Sequence, residues 1–166
     1  MEALKAPELY APALPSGFAT LARLWHYEGA GAWTAWSLSS RPSAIDASPL
    51  RIRKLVWDRP GESSRYAPPP APGKDGPTPR LTLSEGRFPV ESWDALLQEA
   101  RTLRVPPLLL ETESPPGGAR DCTGFAYHLA TRTVSFEWWG EPPEEWKDLA
   151  AWSARVREML DAWARR

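Results

Sequence analysis

Residues 125–166 constrain the fold more than any other stretch of the chain. They read as strand, tight turn, strand, Pro-Pro corner and amphipathic helix. Pro142 and Pro143 suit the first turn of a helix, where a missing N–H leaves no hydrogen bond unmade. Glu144, Glu145 and Asp148 follow at the positive end of the helix dipole. Trp146, Leu149, Trp152, Val156, Leu160 and Trp163 then recur every three to four residues, which makes one apolar face. The preceding strands alternate, so Val134, Phe136 and Trp138 share one side while Ser135, Glu137 and Trp139 share the other. A hairpin and a helix with matching apolar faces must bury them against each other.

The rest of the chain supplies more strands than helices. Residues 18–28 alternate, with Thr20, Ala22, Leu24 and His26 on one face and Trp25 and Tyr27 on the other, although a helix competes there. Gly29-Ala30-Gly31 turns the chain into a return strand over 32–39. Residues 50–57 form a third strand, and the break in alternation at Lys54-Leu55 predicts a bulge. Short strands are expected at 80–84 and 108–112. Ser92 is the expected N-cap of a helix over 92–103, carrying Trp93, Leu96, Leu97 and Ala100 on one face. Residues 59–79 hold seven prolines and three glycines, the composition of a long loop rather than of an element. The expected class is α+β: a mostly antiparallel sheet of five to seven strands packed by two helices, the C-terminal one amphipathic. At 166 residues the expectation is one domain over 1–166, with the Pro-rich loop inside it.

Composition narrows the function more by exclusion than by indication. The formal net charge is −1, so the whole molecule is not drawn to nucleic acid or an acidic membrane. Cys122 is the single cysteine, which removes any internal disulfide. No run of about eighteen apolar residues exists to span a membrane. The proline-broken, acidic start lacks the pattern of a secretion signal. A cytoplasmic protein is therefore expected. Sixteen Arg against four Lys, with abundant Ala and Pro, is the bias of a GC-rich bacterial genome.

No catalytic motif, phosphate cradle or metal-ligand spacing occurs. His26, His128 and Cys122 would need a chance meeting in space to form a zinc site or a nucleophilic pair. No enzyme, cofactor or metal is expected. The surplus is in tryptophan, ten in all, beside an acidic run of Glu137, Glu141, Glu144, Glu145 and Asp148. Most of that run belongs to the helix entry, and the remainder makes an acidic edge. A Trp on an acidic strand face has the character of a protein–protein hot spot. The expectation is a small interaction protein that binds another protein stoichiometrically, as an immunity or antitoxin-like inhibitor or an accessory subunit. Its expected contact residues are Trp139, Glu137, Glu141 and Glu145, with Trp33 or Trp36 on a neighbouring strand. One alternative is a Trp-lined module for a small ligand or glycan. A further one is nucleic-acid binding through Arg51, Arg53, Lys54 and Arg59, interleaved with aromatics; nucleic acid is not the expected partner.

Overall fold

The computed structural model describes residues 14, 16–28, 32–41, 49–57, 81–103, 121–129 and 132–164. Six strands form one sheet: β1 (Ala19–Tyr27), β2 (Trp33–Ser40), β3 (Leu50–Trp57), β4 (Leu81–Phe88), β5 (Cys122–Leu129) and β6 (Arg132–Trp139). Their order is β4-β3-β2-β1-β5-β6, and every neighbouring pair is antiparallel. Helix α1 (Val90–Ala100) follows β4. A 3-10 turn (Glu144–Trp146) leads into helix α2 (Lys147–Ala164). The class is α+β, as the alternation and the two helical stripes imply.

Both helices pack on one side of the sheet, here the helix side. Trp93 of α1 meets Tyr127 of β5 at 6.0 Å between ring centroids. The C-terminal segment crosses the sheet from edge to edge. Trp146 packs on Trp138 of β6, Trp152 on Phe125 of β5 and Trp163 on Phe88 of β4. Seventeen residues of helix cover about 25 Å. Six strands spaced by about 4.8 Å are about 24 Å wide, so one helix suffices. Trp146, Leu149, Trp152, Val156 and Leu160 are all buried, with Leu24, Trp36, Leu38, Ile52 and Phe125 beneath them. The helices are also tied directly, because the buried Trp152 indole donates to the Leu96 carbonyl at 3.0 Å.

Three local expectations differ from the structure. Pairing runs without a break through Lys54 and Leu55 on both sides of β3. The apolar period slips there because each face of the sheet is apolar at that end: Lys54 stays on the helix side and Leu55 is buried on the other. The register shift lies instead in β1, between Thr20 and Ala22. Helix α1 begins earlier than Ser92, with Pro89 as N-cap and no side-chain cap. Burial of Phe88 delivers the chain into the helix at that point, and the Pro89 carbonyl accepts from the Trp93 N–H at 3.3 Å. Strand β4 runs on through Ser84-Glu85-Gly86-Arg87, poor strand formers held by pairing with β3. The proposed strand at 108–112 and the loop at 59–79 lie outside the described residues.

Candidate functional site

Residues paired directly across antiparallel strands point to the same side. The pairings therefore order the far face of the sheet, away from both helices, into rows. One row crosses all six strands: Leu81, Trp57, Trp33, Tyr27, Cys122 and Trp139. The Trp57 and Trp33 rings are 5.1 Å apart, Trp33 and Tyr27 4.1 Å apart. Tyr27 and Trp139 stand two strand spacings apart, about 10 Å in the backbone. Their rings still come to 6.1 Å because the small Cys122 lies between them. All three contacts are edge-to-face, at 87°, 77° and 71°. The rings interlock into a half-buried ridge rather than presenting parallel flat faces.

The neighbouring row is Leu83, Leu55, Ala35, Trp25, Gly124 and Glu137. Trp25 spreads over Gly124, where a β-carbon would overlap its ring. Its indole N–H donates to Glu137 Oε2 at 3.0 Å. Beyond this row the far face turns polar and basic, with Arg51, Arg53 and Arg87 around Glu85 and Arg23 three strands away on β1. Glu85 receives Arg51 and Arg53 at 2.5 Å each. Partial burial acts to raise the Glu85 pKa, but the two arginine hydrogen bonds and charges outweigh it and hold the carboxyl below its ordinary range.

The expected contact residues separate into three groups. Trp33 and Trp139 both join the aromatic row. Glu137 lies on the same face, but it is half-buried and holds Trp25 in place. Trp36 points the other way, 2% exposed under α2, with its indole donating to Asp161 at 2.8 Å; it reaches no partner unless the core opens. Glu141 and Glu145 are exposed beyond the end of β6. The chain turns there at Gly140, whose φ of 69° suits glycine and whose N–H donates to the Asp121 carbonyl at 2.6 Å. Tyr27, Trp57 and Trp25 escape sequence reasoning as site residues. For Tyr27 and Trp25 the signal was the pairing of β1 with β2, which sets Tyr27 opposite Trp33; Trp57 had no local signal.

The basic set divides between faces. Arg51 and Arg53 lie on the far face against Glu85, and Arg53 is buried. Lys54 lies on the helix side, 2.7 Å from Asp161 and over the Trp36 ring. Arg59 is outside the described residues. No continuous cationic track forms among the residues described. The two histidines also divide. His26 shares the helix side with Thr123, 2.9 Å away, whereas His128 is on the far face beside Thr133, 3.1 Å away. Burial first, then the Arg157 charge, draws the His26 pKa below its usual value, against Asp121 and Glu28. Cys122 is buried and shares a strand face with His128, six residues or about 20 Å along. No group of three or more metal-ligating side chains gathers among the described residues. None of their helices is long and apolar enough to cross a membrane.

The chain matches no protein-family model, no curated protein and no solved structure.

Proposed function

We propose that the protein acts by stoichiometric binding of another protein through the far face of its sheet. In this reading it is an immunity or antitoxin-like inhibitor, or an accessory subunit of a larger bacterial assembly, working in the cytoplasm. The observation that carries the reading is the row Leu81-Trp57-Trp33-Tyr27-Cys122-Trp139, which spans every strand on the side that neither helix covers. The row runs along one end of the sheet, where each of its residues begins or ends a strand; clustered Trp and Tyr, with Arg farther along the same face, is the composition of an interface hot spot. The rings are already ordered against one another, so docking would fix few additional rotamers. Glu141 and Glu145 form an acidic rim beyond the Trp139 end. Arg51 and Arg87, about 20 Å along β3 and β4 from the row, add a basic patch.

The Trp-lined ligand or glycan reading draws on the same rings. Their edge-to-face packing favours a protein surface over a sugar, which stacks on open ring faces. Nucleic-acid binding loses ground because Lys54 faces away from Arg51 and Arg53, and both arginines are engaged by Glu85.

The test begins with the tagged protein purified from its host and mass spectrometry of a stoichiometric companion. Affinity for that companion is then measured with Trp139→Ala, Trp57→Ala and the double reversal E141K/E145K. Loss of roughly 30-fold or more in either tryptophan variant is the expected result, equivalent to about 2 kcal/mol. Unchanged affinity in all three would overturn the reading.

A further inference from the structure

The two edges of the sheet are finished differently. At β4, the end of α2 sits on the strand so closely that a β-carbon at Gly86 would overlap the Trp163 carbonyl. Glu85 and Arg87 add charges to that edge. Charged side chains and an overlying helix are how proteins protect an edge strand from pairing. At β6, α2 begins over Trp138, at the opposite end of the strand from Arg132. Arg132, Thr133, Val134 and Ser135 are four consecutive exposed residues. Val134 is 52% exposed, the large hydrophobic residue that stands out at the surface among the described residues. The segment Thr133-Val134-Ser135-Phe136 has high strand propensity, no charge, no proline and an unbroken register with β5. In an antiparallel edge strand every second residue turns its N–H and C=O outward, available to another strand.

We propose that β6 pairs with β6 of a second copy of the chain, antiparallel about a two-fold axis at Ser135. This pairing uses the edge of the sheet rather than its far face, shares only Glu145 of that face's rim, and does not rest on the partner-binding reading. A two-fold normal to the sheet keeps opposed residues on one face, so even positions meet even ones. With the axis at Ser135, Val134 lies opposite Phe136 of the second copy, and Phe136 opposite its Val134. The exposed valine, which faces Tyr127 of β5, gains a second apolar cross-strand neighbour on its open side. Arg132 comes opposite Trp138 of the second copy. That ring packs on Trp146, 6.4 Å away, in the turn that carries Glu144 and Glu145. Each strand is basic at its start and leads into acidic residues beyond its end, so antiparallel pairing brings unlike charges together twice. A parallel pairing would bring like charges together. The contact is one strand wide and falls in the small, weak class of interfaces, with a Kd of about 1–10 μM.

Sedimentation equilibrium at about 100 μM protein, well above such a Kd, tests this. The wild-type chain of 18.5 kDa should show twice that mass. Ser135→Lys and Ser135→Glu each place like charges face to face at the axis and should return the monomer mass, with unchanged far-ultraviolet circular dichroism. An equimolar mixture of the two variants should recover the dimer, because Lys then meets Glu. A monomeric wild type overturns the proposal. So does a dimer that survives Ser135→Lys, or a mixture that stays monomeric.

Discussion

The Trp25 ring lies over Gly124, its direct cross-strand partner, and fills the space where any other residue would carry a β-carbon. The glycine is there because the indole is. With its N–H bound to Glu137, the ring bridges β1, β5 and β6 on the far face. Gly124→Ala must push the ring away and break that hydrogen bond. Overpacking of this kind costs about 1–3 kcal/mol. For a chain of this size the expected fall in Tm is about 2–10 °C, read by scanning calorimetry. A Tm equal to wild type would show that the ring moves without penalty.

Asp161 receives both the Trp36 indole at 2.8 Å and the Lys54 ammonium at 2.7 Å. Asp161→Ala leaves a buried N–H without this acceptor and should cost about 1–3 kcal/mol in urea unfolding. Asp161→Asn keeps an acceptor and should cost less. In the double variant Trp36→Phe/Asp161→Ala the losses should sum to less than the two singles, because both remove one bond.

Glu85 is held below its ordinary pKa by Arg51 and Arg53, against the opposing effect of burial. A carboxyl depressed in the fold stabilises it above the unfolded value of 4.5. That contribution disappears as the pH falls through the folded value. Glu85→Gln should therefore be less stable than wild type at neutral pH, and the gap should close on the acid side of that window. Urea midpoints across the range give the comparison; a constant gap would mean that the ion pairs do not set the acid limb.

The histidines act in a second window. Burial lowers both His26 and His128, with Arg157 assisting at the first and Arg23 at the second. The unfolded chain then takes up protons first as the pH drops below 6.5. Stability should fall from that point until each folded pKa is reached, and level off beyond it. The variant His26→Asn/His128→Asn should lose this slope while keeping the lower one that belongs to Glu85. Midpoints for the two proteins that run parallel below pH 6.5 would contradict it.

Within the aromatic row, position decides cost. Trp33 touches rings on both sides, Tyr27 and Trp57, whereas Trp139 touches Tyr27 alone among the ring pairs described. Trp33→Ala should destabilise by about 3–5 kcal/mol. Trp139→Ala should cost less than half as much, which keeps it usable as a binding variant. Equal losses would mean that the row does not behave as a chain of pairwise contacts.

Much of this arrangement was legible in the sequence. The odd spacing of Trp33 and Trp36 placed them on opposite faces, and the 3.6-residue stripe of the last helix named its buried residues. The split of Phe136 and Trp138 from Glu137 and Trp139 followed from alternation alone. These are local signals, decided within one strand or one helix. The aromatic row was not legible, because it depends on five strand registers at once. Nothing near Tyr27 announces that β5, about a hundred residues later, will lie beside it. Lys54-Leu55 misled for a related reason: a strand apolar on both faces at one end has no single period to follow. Glu137 shows the limit for site residues, since an acid on a strand face reads as available until its indole partner is known.

The strand order has a consequence for how the chain is made. Strands β1 to β4 follow one another as a meander and can pair as they leave the ribosome. The other side of β1 waits for β5, with His26 and Thr123 separated by 97 positions. At about 5–20 residues per second, that delay is roughly 5–20 s. Throughout it, Ala22, Leu24 and Trp25 border an unfinished strand, and the helix that will roof the sheet has yet to be synthesised. The newborn protein passes through an adhesive adolescence whose length is set by topology rather than by the stability of the finished fold.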